Sequence, residues 1–238
     1  MAGSNNAKGL MRHRLRVVLL ELAHHLPYTI VSSLIAMMAV WYFSLVQTQQ
    51  HLGADWTSEV QWSFHVLHPL HVCISAITTT AVFWRAERRL LKAVLFGVFG
   101  SVIPCGLSDY FVPFIGGKVL GQAMRLHICL IEHPMLILPF LCLGVIGGLL
   151  FEQPLSGGSV FSHGAHVFVS SLAALLYLVS FGFTGWLTDL YLIFPVLLVV
   201  VAAVWIPCCV SDIVIPASAL SHHAHSHGRH RPISRASI

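Results

Sequence analysis

Ile103-Pro104-Cys105-Gly106-Leu107-Ser108-Asp109-Tyr110-Phe111-Val112-Pro113 and Ile206-Pro207-Cys208-Cys209-Val210-Ser211-Asp212-Ile213-Val214-Ile215-Pro216 are one motif written twice. Ile, Pro, Cys, Ser, Asp and Pro recur at identical spacing, and these are not the common residues of apolar helices. Upstream of the first copy stands His68-Pro69-Leu70-His71-Val72-Cys73-Ile74-Ser75. Upstream of the second stands His163-Gly164-Ala165-His166-Val167-Phe168-Val169-Ser170, and both read His-x-x-His-Val-x-x-Ser. A weaker match sets Glu21, His24 and His25 beside Glu132, His133 and Pro134. The order is the same in both halves, which marks a duplicated unit.

The setting of the motifs is apolar. The 238 residues are 56% apolar and only 9% charged, with a mean hydropathy of +0.80. Ordinary soluble domains carry about 25% charged residues. Six runs, at 27–46, 66–84, 91–115, 127–150, 163–186 and 190–220, have the length needed to cross a bilayer core, which takes roughly 20 residues of helix. The last is too long for one straight helix, and Pro195, Pro207 and Pro216 predict a bend or break there. The expected fold class is an all-α integral membrane protein, with six transmembrane helices built as two inverted three-helix repeats. An odd number of spans per unit forces the copies into opposite orientations, as in many secondary transporters. The domain reading is a cytoplasmic segment 1–26 with an interfacial basic helix, repeats 27–117 and 118–220, and a His-rich tail 221–238.

Charge sets the expected orientation. Of the 13 Lys and Arg, eleven fall before the first run, between the second and third or at the very start of the third, or in the tail; only Lys118 and Arg125 fall elsewhere. By the positive-inside rule both termini face the cytoplasm and the loop 47–63 faces out. The reading places the chain in a bacterial inner (plasma) membrane. Its partners are the lipid bilayer and a metal ion, with a homo-oligomer left open. Nucleic acid is excluded, because a net charge of +4 with no basic face offers no phosphate footprint. All six cysteines lie in apolar runs, which argues against a secreted disulfide framework. No cleavable signal peptide is evident: the first apolar run starts too far in and is too long.

The polar residues inside the runs carry the functional reading. Ionisable groups in a bilayer are costly and mark functional sites. The spacing i, i+3, i+7 puts His68, His71 and Ser75 on one helical face, with Thr78 and Thr79 extending it. His163, His166 and Ser170 repeat that arrangement. From the predicted topology, His68, His71, Asp109, His127, Glu132 and His133 gather toward the outer side. His163, His166 and Asp212, with Glu21, His24 and His25, gather toward the cytoplasm. The candidate metal ligands are thus His68, His71, Asp109, Glu132, His133, His163, His166 and Asp212, together with Cys105 and Cys208. Imidazole and carboxylate suit zinc, manganese, iron, nickel or cobalt, and the two cysteines move the preference toward zinc or a softer ion. The tail His222-His223-Ala224-His225-Ser226-His227-Gly228-Arg229-His230 adds a tract of a kind that binds transition metals weakly.

These observations favour a membrane transporter of a divalent transition-metal cation, with no resident prosthetic group and no catalytic residues. Three alternatives remain open at this level. One is a membrane-embedded metalloenzyme, in which Glu132 would act as general base. Another is a bis-His haem protein. The last is a proton-coupled carrier of another small substrate, with His and Asp as the relay.

Overall fold

A computed structural model of the chain describes residues 2–49, 56–150 and 159–209. Among these residues every regular element is helical. Helix α1 spans Ala2–Gln49 and runs through Pro27. Helix α2 spans Trp56–Glu87 and runs through Pro69. Helix α3 spans Leu90–Gly106, widens into a single π turn at Leu107–Phe111, and continues as α4, Val112–Val119. A short turn α5, Cys129–Glu132, precedes α6, Pro134–Leu150. Helix α7 spans Ser159–Ser180 and α8 spans Leu190–Cys209.

Four stretches are long and apolar enough to cross a membrane: Leu22–Gln47, Ser58–Glu87, Leu90–Val119 and Leu190–Cys208. Two shorter apolar helices, Pro134–Leu150 and Gly164–Ser180, lie in the regions of the fourth and fifth expected spans. The polarity of the fold is that of a membrane protein. Large apolar side chains such as Met38, Tyr42, Phe99, Leu143, Ile146 and Phe194 are exposed. His71, Ser75, Ser101, Ser108, Asp109, Ser170 and Ser171 are buried. A soluble domain distributes these residue types the other way.

Several expected boundaries move. The fourth run, expected from residue 127, becomes helical in earnest only at Pro134. Proline lacks an N–H and disfavours α backbone at the residue before it, so His133 takes φ −135°, ψ 57°. The fifth helix stops at Ser180 rather than 186. Gly182 at φ +125° turns the chain against the backbone of Ala123, where a Cβ would lie 2.7 Å from the Ala123 carbonyl oxygen. That approach lets Arg125 N–H donate to the Phe181 carbonyl at 2.9 Å and ties the non-helical segment before α5 to the end of α7. Helix α8 continues past Pro195 and Pro207. Residues 210–238, including Asp212, Pro216 and the tail histidines, lie outside the described residues, as does the loop 50–55. The rest of the loop expected at 47–63 is helical, and Gln47 of α1 donates to Glu59 of α2 at 2.8 Å.

Helix α2 is the central element, packed on α3, α6 and α7, while α1 packs on α7 and α8. The α2–α6 contact depends on Gly144 and Gly148. A Cβ at Gly144 would lie 2.6 Å from the Cys73 carbonyl oxygen, and one at Gly148 would lie 2.6 Å from that of Ile77. This small-x-x-x-small spacing lets helix backbones approach where lipid offers no hydrophobic driving force.

Candidate metal centre

The π turn delivers Asp109 into the interior. Pro104 and Pro113 bracket it, and each removes a donor from the helical ladder. The Val112 N–H reaches back to the Leu107 carbonyl, one residue farther than in an α-helix. Single π turns of this kind are frequent at functional sites. Asp109 is fully buried. Its Oδ2 lies 2.8 Å from His68 Nδ1 and 2.7 Å from His71 Nδ1. Its Oδ1 accepts from Ser108 Oγ at 2.6 Å and from Ser170 Oγ at 3.1 Å. A carboxylate can only accept, so both histidines place their proton on Nδ1. The neutral His71 ring then has its lone pair on Nε2, facing away from Asp109.

That Nε2 points at the second half of the chain. It lies 2.7 Å from His166 Nε2, with ring centroids 4.7 Å apart. The short distance is an N–H···N hydrogen bond in which His166 supplies the proton. Cys208 completes a buried group: one ligand atom from each of His71, His166 and Cys208 falls within 4.8 Å of the other two. Cys105 Sγ stands 3.8 Å from His71 Nε2. Cys208 Sγ lies 3.6 Å from Ser170 Oγ, whose hydrogen is committed to Asp109. Carboxylate behind, imidazole between and an accepting nitrogen in front is the arrangement by which proteins orient metal-ligating histidine.

A second group lies six residues earlier along α2. His65 Nε2 is 3.0 Å from His127 Nε2, and with His133 these residues place three ligand atoms within 4.8 Å. His127 Nδ1 lies 2.8 Å from Glu132 Oε2, at ion-pair distance but off the line of a good hydrogen bond. Glu132 Oε1 accepts from the Ile128 N–H at 3.3 Å.

The expected ligands distribute unevenly over these groups. His71, His166 and Cys208 converge, with Cys105 beside them. Asp109 stands behind His71 as its hydrogen-bond partner, and His68 bonds to Asp109 in turn. His133 joins the second group, and Glu132 backs it. His163 lies on α7, but its side chain is outside the described residues, as is all of Asp212. His24 is exposed and bonds to the Leu20 carbonyl. The expectation of separate outer and cytoplasmic clusters does not hold for His71 and His166, which meet in the interior. Helix α2 starts well before its motif does, at Trp56, which puts His71 near its middle. His65 was absent from the expected ligands, although its spacing to His68 repeats that from His68 to His71.

The chain matches no known family model, no curated protein and no solved structure. Fold and site together define a class: a helical chain of membrane type whose interior His and Cys groups could hold a metal ion.

Proposed function

We propose that this protein carries a divalent transition-metal cation across a membrane, with the His71–His166–Cys208 group as its central binding site and the two halves acting as inverted repeats. The observation that carries the reading is the convergence of His71 and His166, equivalent residues of the duplicated motif, at 2.7 Å inside an apolar bundle that includes four membrane-length helices. Cys105 and Cys208 are likewise equivalent in the motif. Each half therefore offers one imidazole and one thiol to the same region. Two nitrogens and two sulfurs suit zinc or a comparably soft ion.

Magnitudes support a metal better than a haem between these rings. Tetrahedral zinc with bonds of about 2.0–2.1 Å to nitrogen needs the two nitrogens about 3.4 Å apart. Separating them from 2.7 Å is a side-chain adjustment. Axial haem ligation needs roughly 4 Å in a straight line, twice such a bond, with a macrocycle between the rings. Hydrolytic chemistry is less favoured, because among the described residues the carboxylate at this position, Asp109, already accepts from His68, His71, Ser108 and Ser170. The α2 face bearing His65, His68, His71, Ser75 and Thr79 supplies a polar stripe about 21 Å long, at 1.5 Å per residue. His71, Ser75 and Thr79 on it are buried.

A second reading has its own support. The unbroken run His68–Asp109–His71–His166 is also the form of a proton relay. Metal flux and pH change in vesicles containing the purified protein separate the two. Saturable movement of zinc, cobalt, nickel, manganese or iron that fails in His71→Ala and His166→Ala supports metal transport. Proton movement with no flux of any of these ions supports the relay and removes the metal reading.

A further inference from the structure

We propose that His65, His127 and His133 form a second metal-ion site, separate from the central one and reached from the protein surface. The three rings come from three kinds of local structure. His65 sits on α2, His127 on the non-helical segment before α5, and His133 at the break forced by Pro134. Unrelated backbone paths thus deliver three imidazoles to one point, with ligand atoms within 4.8 Å.

His127 is the fixed member. It is buried, and its ring stacks on Phe181 with centroids 4.5 Å apart and planes 12° apart. Its backbone N–H donates to Tyr177 Oη at 3.2 Å, and Tyr177 Oη donates to the Arg125 carbonyl at 3.1 Å. Glu132 lies against Nδ1 at 2.8 Å, which leaves Nε2 aimed at His65. His133 is exposed and His65 half-buried, so one side of the group is not covered by the protein. Three imidazoles with an open side fit zinc, cobalt, nickel or copper(II), each completing its shell with water.

Six residues of α2 separate His65 from His71, about 9 Å along the helix. His68 lies between them, stacked on Phe64 with centroids 5.6 Å apart and edge-on to Tyr110 at the same distance. This aromatic layer divides the two groups. If the transport reading holds, the outer group is where an ion first loses water; binding there does not depend on that reading.

Cobalt(II) titration of the full chain in detergent tests the proposal, because a thiolate ligand adds a charge-transfer band that an all-imidazole site lacks. His133→Gln changes an exposed residue, and His65→Gln gives an independent check. The expected result is that each variant loses one equivalent of bound cobalt while the thiolate band keeps its intensity. The difference between parent and variant cancels whatever the tail histidines bind. No lost equivalent in either variant overturns the proposal. Loss of the thiolate band together with the equivalent overturns the claim that the sites are separate. A parent with no thiolate band that still loses an equivalent in His133→Gln upholds this site and removes the central one instead.

Discussion

Nε2 of His71 lies 2.7 Å from Nε2 of His166, although 95 residues separate them in the chain. Neither ring can hold an ion alone, so their contributions to affinity are coupled. His71→Ala and His166→Ala should each remove the tightest class of metal binding measured by calorimetry. The double variant should be little worse than either single one, because neighbours that act as a unit are not additive. Additive losses would mean that the two rings serve different sites.

Asp109 contributes from behind. Replacing it with Asn keeps the shape but removes the charge that fixes the proton of His71 on Nδ1. Changes of this kind to a ligand's supporting carboxylate cost about 10–100-fold in metal affinity. Asp109→Asn should therefore weaken the central site by that order while leaving its stoichiometry intact. An unchanged dissociation constant would show that Asp109 serves packing alone.

The motif that repeats was legible because proline, aspartate, histidine and cysteine stand out against apolar sequence. It named His71, His166, Cys105 and Cys208 as candidate ligands, but placed His71 and His166 in two separate clusters, whereas the two meet. Depth was not legible. An apolar run near residue 66 marks where hydrophobicity begins, whereas the α2 helix begins ten residues earlier through Trp56, Glu59 and Gln61. That offset moved His71 from an expected helix end to a helix middle. The π turn was hidden too, since Pro104 and Pro113 permit a kink, a break or a widened turn, and only packing selects among them. His65 escaped because a single histidine three residues before a motif looks like an interfacial residue.

The sulfur ligands have a direct signature. Cys208 lies within the convergent group, and Cys105 is 3.8 Å from His71 Nε2. The cobalt-loaded protein should show the charge-transfer intensity of two thiolates. Cys105→Ser and Cys208→Ser should each remove about half of it, and the double variant all of it. Full intensity in Cys105→Ser would limit the site to one sulfur.

Close helix contact should be as sensitive as the site. A Cβ at Gly144 meets the Cys73 carbonyl at 2.6 Å and the Ala76 methyl at 2.7 Å. Gly144→Val must push α6 away from α2, and overpacking of this kind costs about 1–3 kcal/mol. Ile146→Val, on the exposed face of the same helix, should have almost no effect. Thermal unfolding in detergent compares the two, and equal midpoints would contradict the tight α2–α6 seam.

Proton release at the central site follows from the thiols beside the His71–His166 contact. In the described geometry a proton occupies the line between the two nitrogens, donated by His166 to His71. A metal ion bound to both nitrogens shifts that proton to Nδ1 of His166, so the neutral imidazoles release none, while any thiol that joins the ion loses its own. Metal and proton therefore compete for the sulfur lone pairs. Acidification should weaken binding, by about tenfold per pH unit for each proton displaced. In a lightly buffered solution with an indicator dye, adding zinc to the protein should release protons in proportion to the metal bound. His166→Ala should abolish the part of that release that comes from the central site. Uptake that is equally tight at acid and neutral pH, with no dye response, would show that the ion binds without these thiols.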